Sequence, residues 1–382
     1  VKSESRSIFT FGSCVTIGIS EPVDNKTGSG LSIPVDLIRT FGIILVVLLH
    51  ASNEYYTTIQ QTALESPVYW WSSTIYKSFA LPCVPLFVIL SGALLLQPSK
   101  TNEPIRVFLK KRFNRIGLAF LFWSAVYLVW AFLVTQTPVT LDNVVEGALY
   151  SLFSGSYYHF WFLYLIAGLY LLTPILRKIV SVKDPKILKY LILLWFIDVA
   201  VVPIIQLITG YSLNDTVFVV GGFIGYFVLG VYLQRVKVRS SILHVLFFLS
   251  FIFTIASTWF LHFHFQSIGQ NYFFFGYLSM NVMLASVTMF LLLSKLTVNW
   301  SRNIHPLVTR VVHAIGKNTL PIYMFHLIVM ETLQRGYLGF KLSLTVMNPV
   351  IGIPVMTVVT LFITFGLILL MKKVPVLRTL IG

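Results

Sequence analysis

The sequence predicts an all-α, polytopic membrane protein with about ten transmembrane helices and both termini in the cytoplasm. Three observations carry that reading. The 382 residues are 57% hydrophobic and only 11% charged, where a soluble chain of this length would carry about a quarter charged residues. The mean hydropathy is +0.83, and apolar runs recur that are each long enough, as helices, to cross a hydrocarbon core of about 30 Å. Finally, basic residues crowd into every second connection. The net charge of +15 comes from Lys+Arg 28 against Asp+Glu 13. Lying between apolar spans, this excess sets topology and does not point to nucleic acid. The lipid bilayer is therefore the first expected partner.

The first thirty residues are mixed in charge, with Lys2, Glu4, Arg6, Glu21, Asp24 and Lys26. Their short apolar piece, IFTFGSCVTIGI, shows no signal-peptide cleavage pattern, and residues 1–30 are expected to form a cytoplasmic tail. Hydrophobic run length then places spans near 33–53, 76–97, 116–135, 158–176, 188–208, 217–234, 242–262, 272–294, 313–333 and 347–371. Lys100, Arg106, Lys110, Lys111, Arg112 and Arg115 follow the second span, and Arg177, Lys178, Lys183 and Lys186 the fourth. Similar basic clusters follow the sixth and eighth, and the tail carries Lys372, Lys373 and Arg378. The alternate loops hold Glu54, Glu65, Asp142, Glu146 and Asp215 with almost no Lys or Arg, although Lys77, Arg335 and Lys341 break the pattern.

The first span is LSIPVDLIRTFGIILVVLLHASNE, Leu31 to Glu54, and it holds three polar groups of note: Asp36, Arg39 and His50. At about 100° per residue, the eleven steps from Arg39 to His50 close roughly three turns and rise about 16 Å. Asp36 falls within about 40° of the same line, so all three share a face. Charged groups in a membrane span face protein or a water-filled cavity and mark functional sites. A plainer alternative pairs Asp36 with Arg39 at one membrane edge and leaves His50 in the opposite headgroup layer.

The second span reads CVPLFVILSGALLL, where Ser91-Gly92 would let a neighbouring helix approach closely. Lys110, Lys111, Arg112 and Arg115 come in a loop just before the third span. They suit positive-inside anchoring, or the phosphates of an anionic ligand, whose geometry guanidinium matches. The fourth span opens YYHFWFLYLIAGLYLLTPIL, with His159 and Trp161 at its outer end. Tyrosines and Trp there fit an interfacial belt, which explains His159 less well. Asp198, in mid-span, would be costly unpaired, and a structural hydrogen bond is expected of it. Trp259, His262 and His264 read as interfacial anchors, and His305 and His313 as residues of a cytoplasmic loop with no evident chemistry. In the ninth span, GKNTLPIYMFHLIVMETLQ, Tyr323 and His326 share a helical face, Glu331 lies further out, and Pro321 is expected to kink the helix.

Four strings in this order together resemble acyltransferase family 3: Asp36-x-x-Arg39 with His50, Pro85-Leu86-Phe87-x-x-x-Ser91-Gly92, His159-x-Trp161-Phe162-x-Tyr164, and Ile322-Tyr323-x-x-His326. Arg112-x-x-Arg115 is similar to a basic pair at that point in the family. The resemblance covers most of the chain, with residues 31–373 as the acyltransferase-like transmembrane domain and 374–382 as a cytoplasmic tail. It implies the stand-alone type, without a fused extracellular domain. It further implies transfer of an acyl group, acetyl being the expected one, from cytoplasmic acyl-CoA to a hydroxyl of a cell-envelope carbohydrate. The acceptor that the resemblance implies is an envelope polysaccharide or lipid-linked glycan at the outer face of the plasma membrane. Arg39, Arg112 and Arg115 are the candidates to bind the donor's phosphates. His50, with Arg39 and His326, is the candidate catalytic group, and Asp36, His159, Trp161 and Tyr323 are further candidates. An exporter of a glycan or lipid-linked sugar is the rival reading. No metal is expected, since Cys14 and Cys83 have no ligand spacing and no metal-ligand motif appears.

The orientation is directly testable. A cysteine at Asn143 should react with a membrane-impermeant reagent applied from outside, and one at Asn102 should not. Outside labelling of Asn102→Cys would reverse the assignment.

Overall fold

In hydrocarbon a backbone N–H has no water to bond, so apolar segments close their hydrogen bonds internally as helices. The computed structural model describes residues 34–58, 66–182, 185–209, 222–264, 272–296 and 304–382, and no β-strand occurs among them. The tail assigned to 1–30, Glu65 and Asp215 lie outside the described residues. Eight helical stretches among those described are long and apolar enough to cross a membrane: Val35–Asn53, Pro67–Leu95, Ile105–Thr135, Trp161–Ser181, Lys186–Thr209, Ser240–His264, Phe273–Lys295 and Pro349–Met371. Two shorter helices, Ile224–Leu233 and Thr319–Arg335, stand where the sixth and ninth spans are expected.

The elements that build the site are α1 (Val35–Thr58), α2 (Pro67–Ala80), α3 (Cys83–Leu95), α4 (Ile105–Thr135), α5 (Leu141–Tyr150) and α6 (Trp161–Ser181). They continue with α7 (Pro185–Phe196), α8 (Val202–Thr209), α9 (Ile224–Leu233), α10 (Ser240–His264), α11 (Met280–Lys295), α12 (Pro306–Lys317), α13 (Thr319–Arg335), α14 (Pro349–Met371) and α15 (Pro375–Leu380). Helix α1 lies at the centre and packs against α2, α3, α12, α13 and α14. Its buried residues include Ile38, Ile43, Val46, Val47 and Ala51.

Three boundaries differ from the sequence expectation. The second span begins at Pro67, because Ser72, Ser73, Thr74 and Ser78 are buried against protein and not lipid. The third begins at Ile105, directly after Pro104, so Lys110, Lys111, Arg112 and Arg115 ride on α4 itself and not on a loop before it. Their long aliphatic stems let a helix start inside the headgroup layer while the charged heads stay wet. In the ninth region the chain breaks at Asn318, between α12 and α13. Pro321 then falls in the first turn of α13, where its missing N–H is not needed, so the expected kink becomes a helix boundary. That break also puts His313 on a helix, α12, and not in a loop.

Small residues set a close contact between α3 and α9. At Gly92 of α3 an added Cβ would lie 1.7 Å from the Phe227 carbonyl oxygen of α9, and at Gly230 of α9 one would lie 2.1 Å from the Ile89 carbonyl oxygen. The two glycines let the backbones touch, as the Ser91-Gly92 pair suggested. Gly230→Leu should therefore abolish the monodisperse, folded protein in size-exclusion chromatography. Gly168→Ala, where a Cβ meets nothing within 4 Å, should leave elution and melting temperature near the parent's.

Candidate functional site

The polar face of α1 divides between two places. At one end His50 meets an aromatic cluster. Its ring centroid is 5.2 Å from that of His326 on α13 and 5.4 Å from that of Tyr158. His159, in the turn before α6, closes the group at 5.7 Å from His326 and 5.3 Å from Tyr323. Three imidazoles from three separate parts of the chain are thus in mutual reach. The Tyr323 hydroxyl donates to the His159 carbonyl at 2.5 Å and ties α13 to that turn.

His326 is fully buried, and its tautomer follows from its partners. Nδ1 lies 2.7 Å from the Tyr323 carbonyl and 3.2 Å from that of Ile322. A carbonyl can only accept, so Nδ1 carries the proton and Nε2 keeps a lone pair in the neutral ring. That Nε2 is buried and has no protein partner, and the same holds for His50 Nδ1. Buried polar atoms are nearly always satisfied, so unpartnered nitrogens on adjacent rings are places for a substrate or for water. His50 is half-buried where His326 is sealed, which makes it the more accessible ring.

Around this cluster stands a second polar group. Glu331 of α13 accepts from Trp130 Nε1 at 3.0 Å and from the Tyr157 hydroxyl. The Tyr157 ring packs 5.0 Å from Tyr158 and 4.9 Å from Tyr127. Tyr127 in turn donates its hydroxyl to the Met324 carbonyl at 2.8 Å.

At the other end of α1, Arg39 lines a cavity of about 390 Å³ together with Lys100, Arg112, Arg115 and Lys317. Tyr170, Phe162 and Tyr323 also line it, and no carboxylate among the described residues does. Five cations around one concavity repel one another and focus a field that attracts a polyanion. Because Tyr323 is shared, this basic cavity reaches the wall of the histidine cluster.

Ion pairs outside the cavity hold its frame. Arg177 of α6, 3% exposed, donates to the Leu95 carbonyl at 2.8 Å, to the Lys100 carbonyl at 3.1 Å and to Glu103 at 3.0 Å. It thereby pins the turn that carries Lys100. Burial would raise the Glu103 carboxyl, but hydrogen bonds from Arg177 and Lys111 hold it below its ordinary value. Burial, then the nearby Arg112 and Arg177, push the Lys100 ammonium below the usual lysine value. Asp36 pairs with His313 of α12 at 2.5 Å, so the pairing with Arg39 considered above is replaced by a link between two helices. A Cβ on Gly316 would come within 2.8 Å of the Asp36 carbonyl oxygen, and this close approach makes the link possible.

Of the sequence candidates, His50, His159, Tyr323 and His326 converge, and Arg39, Arg112 and Arg115 meet at the cavity. Trp161 faces elsewhere, with its ring 5.7 Å from both Tyr277 and Phe223. Asp198 sits in a π-helical turn, Ile197–Val201, and does not line the basic cavity. The cavity also takes in Lys317, which nothing in the sequence singled out beyond its place after Gly316. Lys100, read for topology alone, joins it through the Arg177 clamp.

This architecture is that of a polytopic membrane protein with an internal basic cavity running to a buried imidazole cluster. A family model described as an acyltransferase domain matches residues 34–369. The chain belongs to acyltransferase family 3, and is a multi-pass membrane acyltransferase. No curated protein and no solved structure matches it.

Proposed function

We propose that the protein transfers an acyl group, acetyl in the first instance, from cytoplasmic acyl-CoA to a hydroxyl of an envelope polysaccharide or lipid-linked glycan outside the plasma membrane. The single observation that carries this is the continuity of the five-cation cavity with the histidine cluster through Tyr323. The phosphates of acyl-CoA match Arg39, Arg112 and Arg115, with Lys100 and Lys317 beside them. Its extended pantetheine arm is of the order of the ~16 Å rise from Arg39 to His50. A thioester anchored at the arginines therefore reaches the imidazoles.

His50 acts as general base. Its ring takes the proton of the acceptor hydroxyl as that oxygen attacks the thioester carbonyl. The tetrahedral intermediate collapses, the C–S bond breaks, and the thiolate leaves with the proton from the imidazolium. His326, with its tautomer fixed by two carbonyls, holds a second lone pair beside His50 and orients it or shares the proton. Basic side chains at one end and the half-buried His50 at the other suit a donor and an acceptor approaching from opposite sides.

Two outcomes follow. Arg39→Ala should bind acyl-CoA more weakly in calorimetric titration by about 1.5–3 kcal/mol, the worth of a charge-assisted hydrogen bond, and Arg39→Lys should restore only part of the loss. Parental affinity in Arg39→Ala would remove that role. Purified His50→Gln should transfer about 10²–10⁴-fold more slowly while binding donor as the parent does. A parental transfer rate would sink the mechanism.

A further inference from the structure

A second cavity lies outside the one just described, on the lipid side of the bundle between α4 and α6. Its volume is about 1000 Å³, at the top of the range of roughly 300–1,000 Å³ usual for small-molecule sites. It runs along α4 from Arg106 to Phe120, fourteen residues or about 21 Å, which is close to the depth of one leaflet with its headgroups. The wall is largely apolar, with Arg106, Lys110 and Arg112 at one end and Asn114 and Tyr164 further along, and no carboxylate among the described residues lines it. Gly117 and Ala167 contribute almost no side-chain volume to it. The membrane-crossing window of α4 is only 22% buried within the protein, so this face meets lipid.

Charges at the end of a helix are what topology alone would leave there. Topology does not explain a trough that begins at those charges and continues, largely apolar, for a leaflet's depth. Its two ends want different things: the basic end a phosphate, the remainder a hydrocarbon chain. Phosphatidylethanolamine offers a phosphate but adds an ammonium that the same side chains repel. An anionic glycerophospholipid satisfies both ends.

We propose that the groove between α4 and α6 is a binding site for one anionic phospholipid of the leaflet at the basic end, with its phosphate at Arg106 and Lys110 and an acyl chain past Gly117 and Ala167. Arg112, Ile116, Leu163 and Tyr170 line both this groove and the basic cavity. The bound lipid therefore forms part of the outer wall behind Arg112.

The test is native mass spectrometry of the full chain released from nanodiscs of equal phosphatidylglycerol and phosphatidylethanolamine. The parent should retain phosphatidylglycerol in preference. Arg106→Glu with Lys110→Glu should lower the retained ratio about thirtyfold, given about 1 kcal/mol for each of the two basic residues at an anionic surface. Ala167→Phe, which fills the groove without touching a charge, should lower retention of both lipids. Arg235→Glu, an exposed basic residue after α9, should change nothing. The site is overturned if the parent retains the two lipids equally or not at all, or if the double reversal leaves the ratio intact. It is also overturned if Arg235→Glu has as large an effect, which would mean diffuse attraction, or if folded Ala167→Phe retains lipid undiminished. Should Ala167→Phe not fold, the double reversal against Arg235→Glu decides the matter alone.

Discussion

A polar side chain in a bilayer must be turned toward protein or water, and the rest of this structure depends on how that constraint is met along α1. Arg39 and His50 are carried by a helix that would otherwise be an ordinary apolar span. Sending them to lipid would be costly. Surrounding them with α2, α3, α12, α13 and α14 makes α1 the central helix of the bundle. Burial of two polar groups on one face has thus selected which helix sits in the middle and which way it is turned.

The same helix then couples two chemically unlike places. At one end five cations line a cavity, with no carboxylate among the described residues, and at the other His50 rests against His326 in an aromatic shell. Each place is assembled from parts far apart in the chain. Arg177 fixes the turn bearing Lys100 by donating to two carbonyls and to Glu103, while Tyr323 locks the turn bearing His159. Spacing between the two places is set by helix rise alone, so it holds as rigidly as α1 does. The glycine contact between α3 and α9 serves the same end, since it removes slack from the helix next to α1.

Much of this was legible in the chain because membrane proteins obey few and strong rules. Run length gave the helices, and the helical period put Arg39 and His50 on one face. The outer-end position of His159 and the shared face of Tyr323 and His326 were readable too. Ends of helices were less readable. The polar residues Ser72, Ser73 and Thr74 look like a loop until they are seen buried against protein. The basic residues Lys110 to Arg115 look like one until Pro104 is seen to start the helix before them. His313 seemed idle for the same reason. Nothing local announces an ion pair with a residue 277 positions away.

By itself the sequence determined that the protein is helical, that it spans a membrane, and that α1 carries an arginine and a histidine about 16 Å apart on one face. Those follow from composition and from the period of the helix, which are properties of short stretches. Only the tertiary structure decided which imidazoles touch, which cations share a cavity, and that Tyr323 stands between them. It also decided that Asp36 pairs with His313 and not with its neighbour Arg39. Depth along a helix is fixed by counting residues, but the rotation and approach of one helix against another are fixed by packing, by where a glycine lets two backbones meet.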